Sequence, residues 1–523
     1  MSDQAMNTFS MGRLLRPVRR IGSLLPTLLV MAALSGLAVA GHHYGWTIPK
    51  FSELAGRRSP SGPAWCDEHG VPEEDCIACN ADLMPKGKLY GWCGEHGVRE
   101  CVLDHPELAQ LTEPPGDLTA DRQRARRALA LRPRPKNDPG CKLSLRRIQF
   151  ASKEAADKAG IDIGLVERGP LVETISATGE VVYDPTRVAR LASRAAGTAW
   201  RVYKNVGDHV AEGDVLALID AASAGRAKAD LLQAVAQYRL AQQTIDRLKG
   251  LQGVVAGKRM LEAEAARNLA EASVRKSVQE LQNLGLPVVL QEVFRYSEPE
   301  LARRLRYLGV PSPLARRLGD KQGSANLVPV VAPRDGIVVR RNVVTGEVVD
   351  PSRMLFTVAD TSTMWLVLDV KLEDARFLKL GQKVIFRSDG AEHADVGKLT
   401  WISTDVDVET RTVQARAELD NRDGHLRNEV FGAGEIVLRE ERDAILVPSS
   451  AVHWEGCCFV VFVRDKDWFT GRYKVIHTRS IRPGIETGGM TEVIAGLLPG
   501  EVVVTRGSGV LRAELLKGNL GAG

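Results

Sequence analysis

Val202-Tyr203-Lys204-Asn205-Val206-Gly207-Asp208-His209-Val210-Ala211-Glu212-Gly213-Asp214-Val215-Leu216-Ala217-Leu218-Ile219-Asp220 reads as strand, turn and strand, with Gly207 and Gly213 supplying the turns. The pattern returns far along the chain. Val330-Val331-Ala332-Pro333-Arg334-Asp335-Gly336-Ile337-Val338-Val339 leads to Val343-Val344-Thr345-Gly346-Glu347-Val348-Val349, then to Leu355-Phe356-Thr357-Val358-Ala359-Asp360. Both halves run apolar strand, Gly-Asp or Gly-Glu turn, apolar strand, closing Asp.

Helix separates the halves. Residues 221–249 place Leu231, Val235, Tyr238, Ile245 and Leu248 at helical spacing without a proline. Gly250, Gly253 and Gly257 interrupt the pattern, and residues 258–284 resume it with Leu261, Ala265, Leu269, Ala272, Val278 and Leu281. Two such helices at ~1.5 Å per residue predict an antiparallel hairpin roughly 40–45 Å long. Residues 287–323 read as further short helices. From Met364 onward the chain is β-rich, with strands predicted at 364–370, 382–386, 412–418 and 434–438, and a last β unit from 444 that includes 459–463 and 501–505.

The chain has 523 residues, which at about 150 per domain predicts three or four compact units. Charged residues at 26% and hydrophobic ones at 44% exclude a disordered or collagen-like chain. A net charge of +5 is too mild for a nucleic-acid partner, and none is expected. No nucleophile elbow, Walker loop or dinucleotide fingerprint occurs, so neither enzyme activity nor an organic cofactor is expected.

The order of half-motif, hairpin, half-motif, barrel and terminal β domain resembles the periplasmic adaptor family, the membrane fusion proteins of resistance-nodulation-division (RND) efflux pumps. Val206-Gly207-Asp208, Glu212-Gly213-Asp214-Val215-Leu216, Ala332-Pro333-Arg334-Asp335-Gly336 and Gly346-Glu347-Val348-Val349 carry the likeness, with Pro448-Ser449-Ser450-Ala451-Val452 and Leu498-Pro499-Gly500-Glu501-Val502-Val503 in the terminal domain. Val358-Ala359-Asp360, Met364-Trp365-Leu366 and Glu373-Asp374 look most like the heavy-metal branch. A lipoyl or biotinyl carrier would need a lysine at the hairpin tip that the helical insertion here replaces. The resemblance covers about residues 160–523 and implies a bridge. The barrel and membrane-proximal domains would sit on a proton-driven inner-membrane RND pump, and the hairpin tip would reach a trimeric outer-membrane channel. A homo-oligomer, a hexamer in the family, is implied as well. At the channel-docking tip Arg247 and Leu251 fit the family spacing, and the third position holds Lys258.

Arg13, Arg16, Arg19 and Arg20 precede residues 21–40, twenty residues without a charge. Such a run predicts a helix about 30 Å long, with the arginines cytoplasmic and the body across the membrane. Ala38-Val39-Ala40 also fits a signal-peptidase site. The expected localisation is the inner membrane, by a single-pass anchor, with a periplasmic body.

Trp65-Cys66-Asp67-Glu68-His69-Gly70-Val71 recurs as Trp92-Cys93-Gly94-Glu95-His96-Gly97-Val98, and Glu73 and Glu100 keep the offset, which marks an internal duplication. The copies continue with Cys76 and Cys79, and with Cys101 and His105. C-x2-H-x6-C-x2-C and C-x2-H-x4-C-x3-H each supply four donors suited to Zn2+ or another thiophilic divalent or monovalent ion. A segment this short buries little core and needs a staple to fold. Disulfides are the alternative in an oxidising compartment. Cys76-Ile77-Ala78-Cys79 with Asp82-Leu83-Met84-Pro85 resembles the small heavy-metal-binding domain of some metal-efflux adaptors, with Asn80-Ala81 where that domain has Gly-Met. His453, Cys457 and Cys458 form a second candidate set, with buried strand cysteines as the alternative; Cys141 belongs to neither.

The expected fold is mainly β with a long α-helical hairpin: a split lipoyl-like domain, a β-barrel and a membrane-proximal β domain, preceded by an anchor helix and a small Cys/His module. The expected divisions begin with a tail and anchor or signal (1–50), a linker (51–64), the Cys/His module (65–106) and a basic Pro-rich tether (107–147). The first barrel or membrane-proximal strands (148–190), the first lipoyl-like half (191–220) and the hairpin with extra helices (221–324) follow. The second half (325–360), the barrel (361–440) and the membrane-proximal domain (441–523) complete the chain. The expected function is an adaptor for heavy-metal cation export. An adaptor of a drug or ATP-driven exporter with a disulfide-stapled module, or a periplasmic metal scavenger, are the alternatives.

Overall fold

The structure, a computed structural model, describes residues 25–44, 64–66, 69–83, 87–250, 257–322 and 324–517. Helix α1 (Leu25–Tyr44) opens it. Among the described residues no helix is long and apolar enough to cross a membrane. That finding overturns the single-pass inner-membrane anchor expected over residues 21–40. α1 carries residues 25–40 of that run. Its last turn carries His42 and His43 instead of continuing apolar.

The Cys/His module folds as two ribbons, Trp65–Cys66 against Val71–Pro72 and Trp92–Cys93 against Val98–Arg99. The segment expected as an extended tether contains helix α2 (Thr119–Leu131). Alanines and arginines, both strong helix formers, fill it between Pro115 and Pro133, so the prolines bound a helix. Its arginines grip protein. Arg122 donates to the Leu103 carbonyl at 3.0 Å, Arg126 to Glu95 at 2.6 Å, and Arg127 to both oxygens of Glu441 at 3.0 and 2.9 Å.

Two four-stranded sheets form the lipoyl-like sandwich, and each takes strands from both half-motifs. One runs His209–Val210, Gly336–Arg341, Met354–Ala359, Val188–Ala192; the other runs Leu327–Val331, Val215–Asp220, Gly197–Val202, Val348–Val349. Leu216, Ala217 and Ile219 of the first half pack with Val338, Leu355, Phe356 and Val358 of the second. Two glycines sit at equivalent places: a Cβ on Gly197 would meet the Asp220 carbonyl, and one on Gly336 would lie 2.6 Å from the Ala359 carbonyl. Backbone oxygen cannot step aside as a side chain can, so Gly336→Ala is expected to cost about 1–3 kcal/mol, read as a lowered unfolding midpoint. An unchanged midpoint would show that the sheets part there freely.

Between the halves run helices α3 (Ala222–Gly250) and α4 (Gly257–Asn283). Leu231 and Val235 of α3 pack with Val274, Val278 and Leu281 of α4, so the start of one helix lies beside the end of the other. Farther out Leu240, Leu261 and Leu269 are exposed.

The barrel pairs Lys383–Ser388, Asp395–Asp407, Thr412–Asp420, Thr363–Lys371, Glu167–Tyr183 and Val430–Pro448 in that order, and Lys383–Ser388 returns to Val430–Pro448 to close it. Leu366, Leu368, Phe386 and Ile436 fill its core. The terminal sheet orders Arg147–Phe150, Lys474–Ser480, Phe459–Arg464, Val502–Arg506 and Asp162–Leu165, so early segments complete it. At the seam of tether, barrel and terminal domain, Arg439 donates to Glu173 at 3.1 Å and to Glu492 at 2.9 and 2.7 Å, while Arg134 donates to Glu173 at 2.6 Å. All four side chains are buried.

Candidate metal centre

The two copies of the module build one loop twice. Each ribbon closes through a Gly N–H donating to the leading Cys carbonyl at 2.9 Å, Gly70 to Cys66 and Gly97 to Cys93. Each then returns through a Glu N–H: Glu73 donates to Ala64 at 2.7 Å, and Glu100 to Gly91 at 2.9 Å. A second turn follows, with Asn80 N–H on the Cys76 carbonyl at 2.8 Å and His105 N–H on the Cys101 carbonyl at 2.9 Å. That pairing aligns Cys76 with Cys101, Cys79 with Asp104, and Asn80 with His105.

The ligand atoms gather accordingly. Cys66, His69, Cys76 and Cys79 bring theirs within 4.8 Å of one another, and so do Cys93, His96, Cys101 and Asp104. His69 Nδ1 lies 3.2, 3.4 and 3.9 Å from the sulfurs of Cys66, Cys76 and Cys79, and the Cys66 and Cys79 sulfurs are 3.7 Å apart. His96 Nδ1 lies 3.4 Å from both Cys93 and Cys101 and 3.3 Å from Asp104. Tetrahedral ligands at ~2.3 Å (S) and ~2.0 Å (N) from one ion stand about 3.6 Å apart for S to N and about 3.8 Å for S to S. The observed sulfur-to-nitrogen separations bracket the first value, and the 3.7 Å sulfur pair lies close to the second. The five module thiols are unpaired, and 3.7 Å between sulfurs is far beyond a disulfide's ~2.05 Å.

His105, expected as the eighth ligand, is not in the second group. Its ring stacks on Tyr90 at 3.5 Å between centroids, and Nδ1 lies 3.8 Å from Glu107. Asp104 stands in the position that a Cys fills in the first copy. The signal was present in the sequence: Cys101-x2-Asp104 repeats the spacing of Cys76-x2-Cys79 once two residues are dropped from the second copy.

Electrostatics show what each group lacks. The thiols of Cys76 and Cys66 push the Cys79 thiol up to about 12, since crowded thiols resist shared ionisation. Burial pushes Cys93 and Cys101 up. Burial also works to raise Asp104, but the Cys93 thiol and the His96 ring outweigh it and hold that carboxyl low. His96 Nε2 is buried without a partner. A cation between these donors would favour every deprotonated form at once.

The second candidate set is rearranged. Cys457 and Cys458 converge on Cys141, and His453 does not join them. The His453 ring is held below its usual pKa by burial, and its Nε2 is buried without a partner. At the hairpin, Arg247 lies in the last turn of α3, and Leu251 lies outside the described residues.

A barrel-sandwich divided by a pair of helices and leading into a closed β-barrel is the architecture of the membrane-fusion class, here with a candidate metal-ligand module in front. Residues 187–360 match the CzcB-like barrel-sandwich hybrid domain, and residues 363–438 match the CusB-like β-barrel domain. Across these two domains the chain is similar to the heavy-metal branch of the RND membrane fusion proteins. It is 24% identical over 373 residues to the cobalt-zinc-cadmium resistance protein CzcB of Cupriavidus metallidurans, covering 71% of this chain and 64% of that protein. With the nickel-cobalt-cadmium resistance protein NccB of Alcaligenes xylosoxydans xylosoxydans it shares 27% over 363 residues, 69% of this chain and 80% of that protein. The crystal structure of ZneB from Cupriavidus metallidurans aligns with a TM-score of 0.33 at 23% identity, covering 69% of this chain and 96% of that one. The chain thus spans 64% of the length of the CzcB proteins that it matches.

Proposed function

We propose that this chain is the periplasmic adaptor of a proton-driven RND pump that exports heavy-metal cations. It joins the pump to an outer-membrane channel as an oligomer, six copies by family resemblance, and performs no catalysis itself. Its N-terminal module captures the cation class that the pump exports. The observation that carries this reading is the pair of four-ligand groups on a CzcB-like frame. Three thiols and an imidazole in the first group suit Zn2+ or a softer ion. A carboxylate among the second group's ligands makes that site harder and weaker for thiophilic ions. Two sites of graded affinity let a captured ion be released again.

The test joins binding to tolerance. The full chain, purified without oxygen, should hold two zinc ions, and Cys76→Ser should remove one. Asp104→Ala should weaken the second site by about 10–100-fold, a loss on the scale of disrupted metal-site support, whereas His105→Ala should leave zinc content unchanged. Cells lacking the chain should lose tolerance to zinc, cobalt or cadmium, and module variants should lose part of it while still assembling with the pump. Unchanged tolerance on deletion would sink the export reading, and paired thiols with no zinc would remove metal capture from it.

A further inference from the structure

We propose that residues 119–137 form a strap that holds the barrel at one angle to the terminal domain, and that the barrel tilts about this joint when the strap lets go. The joint itself is slight. Strands Glu167–Tyr183 and Val430–Pro448 run from one body into the other. Ile175 and Ile436 sit in the barrel core, while Ile445 and Val447 sit in the terminal core. Between those ends, among the described residues, the two strands pair with each other alone. Barrel neighbours pair with 178–183 of the first and 432–436 of the second, and Met490–Ala495 pairs with 446–448. The register shifts twice in this stretch, between Val437 and Arg439 and between Glu441 and Ala444. Each bulge interrupts the ladder and bends the strand, and a two-stranded ribbon resists further bending weakly.

The strap crosses the ribbon at both bulges. Beside the second bulge, Arg127 of α2 donates to both oxygens of Glu441. Arg168, on the opposite strand, donates to the two oxygens of buried Asp121 at 2.9 and 2.8 Å. Beside the first bulge, Arg134 donates to Glu173, which stands opposite Arg439 in the ladder. Farther toward the barrel, Arg132 donates to Asp374 on the short helix Leu372–Ala375 at 3.4 Å. On the other side, Ala125 and Ala128 pack with Ile494, Ala495 and Leu498 of the terminal domain, and Asn137 donates to the Ile481 carbonyl at 2.9 Å.

The two attachments differ in kind. The terminal side is apolar and buried. The barrel side is held by ion pairs whose arginines, Arg127 and Arg132, are 55% and 32% exposed. Partly exposed ion pairs are the weaker attachment, because water and salt compete for both partners. The strap therefore opens at the barrel and stays seated on the terminal domain. While it is closed, the terminal domain, the barrel and the Cys/His module move as one body. The second Cys/His copy against α2 has an apolar core of its own, so the strap does not rest on the metal reading.

In the full chain, spin labels would be attached through a non-natural amino acid at exposed Gln414 of the barrel and Thr470 of the terminal domain, which spares the native cysteines. Pulsed dipolar spectroscopy then reads the distribution of distances between the two bodies. The parent should give one narrow distribution. Arg127→Ala with Arg132→Ala should widen it about twofold, as expected of a hinge set free. Alanine is the best helix former, so these substitutions leave α2 itself helical, and amide exchange over residues 119–131 should stay as slow as in the parent. Equal widths in the parent and the double variant would overturn the proposal. Loss of amide protection over residues 119–131 in the double variant would place the weak attachment on the terminal side and overturn it as well. Neither failure touches the zinc reading, because Arg127 and Arg132 are not among the module's ligands.

Discussion

Removing metal from the full chain is expected to release residues 64–83 and to leave residues 91–105 protected from amide exchange. The first copy has almost no core except its own ligands: Cys66, Val71 and Cys76 form its buried cluster. It leans on the terminal domain through few polar contacts, such as Ile77 N–H on Gln149 at 3.0 Å and Gln149 on the Asp75 carbonyl at 2.9 Å. The second copy buries Val98, Val102 and Leu103 against Ala125 and Ala128 of α2 and Ile494, Ala495 and Leu498 of the terminal domain. Three such side chains at ~1.5–3 kcal/mol each contribute about 5–9 kcal/mol without any ion. Structural zinc in small domains supplies about 10–16 kcal/mol. Losing even a third of that should accelerate exchange in the first copy at least about 100-fold. Hydrogen exchange with and without a chelator reads both copies in one experiment. Equal release of both, or of neither, would show that the metal is not what closes the first.

Arg439→Met is expected to be the most damaging single substitution away from the module. It strips the shared cation from Glu173 and Glu492, whose side chains are 1% and 0% exposed. Breaking a buried pair from one side costs about 3–5 kcal/mol, because the orphaned charge remains. Arg134 still reaches Glu173, so Glu492 bears most of the loss. Adding Glu492→Gln removes the orphaned charge, so the double variant should recover part of the lost stability. Urea midpoints of the two variants check this, and an equal loss in both would point to packing rather than charge.

Much of the frame could be read from residues in order, because its signals are local. Period-two alternation around Gly207 and Gly346 marked the half-motifs, and spacings of three, four and seven marked α3. The leading Cys and His of each copy were visible through the repeat itself. Asp104 was hidden because the second copy is two residues shorter beyond that repeat, which made His105 look like the fourth donor. Cys141 was hidden because its neighbours lie 316 and 317 residues away, a relation that no periodicity carries. The tether's prolines signal extended chain, yet Pro115 and Pro133 lie outside the helix formers that make α2 and bound the helix instead of breaking it.

The order in which the chain leaves a ribosome gives the terminal sheet a cost in time. Among the described residues strand Asp162–Leu165 pairs only with Val502–Arg506, and the second Cys/His copy rests on Ile494, Ala495 and Leu498. At ~5–20 residues per second, the early segments wait roughly 20–70 s for their partners. During that interval Val98, Val102 and Leu103 are exposed and a holdase can bind them. The first copy faces no such delay, since its four ligands, Cys66, His69, Cys76 and Cys79, lie close together in sequence and an ion can close it while translation continues.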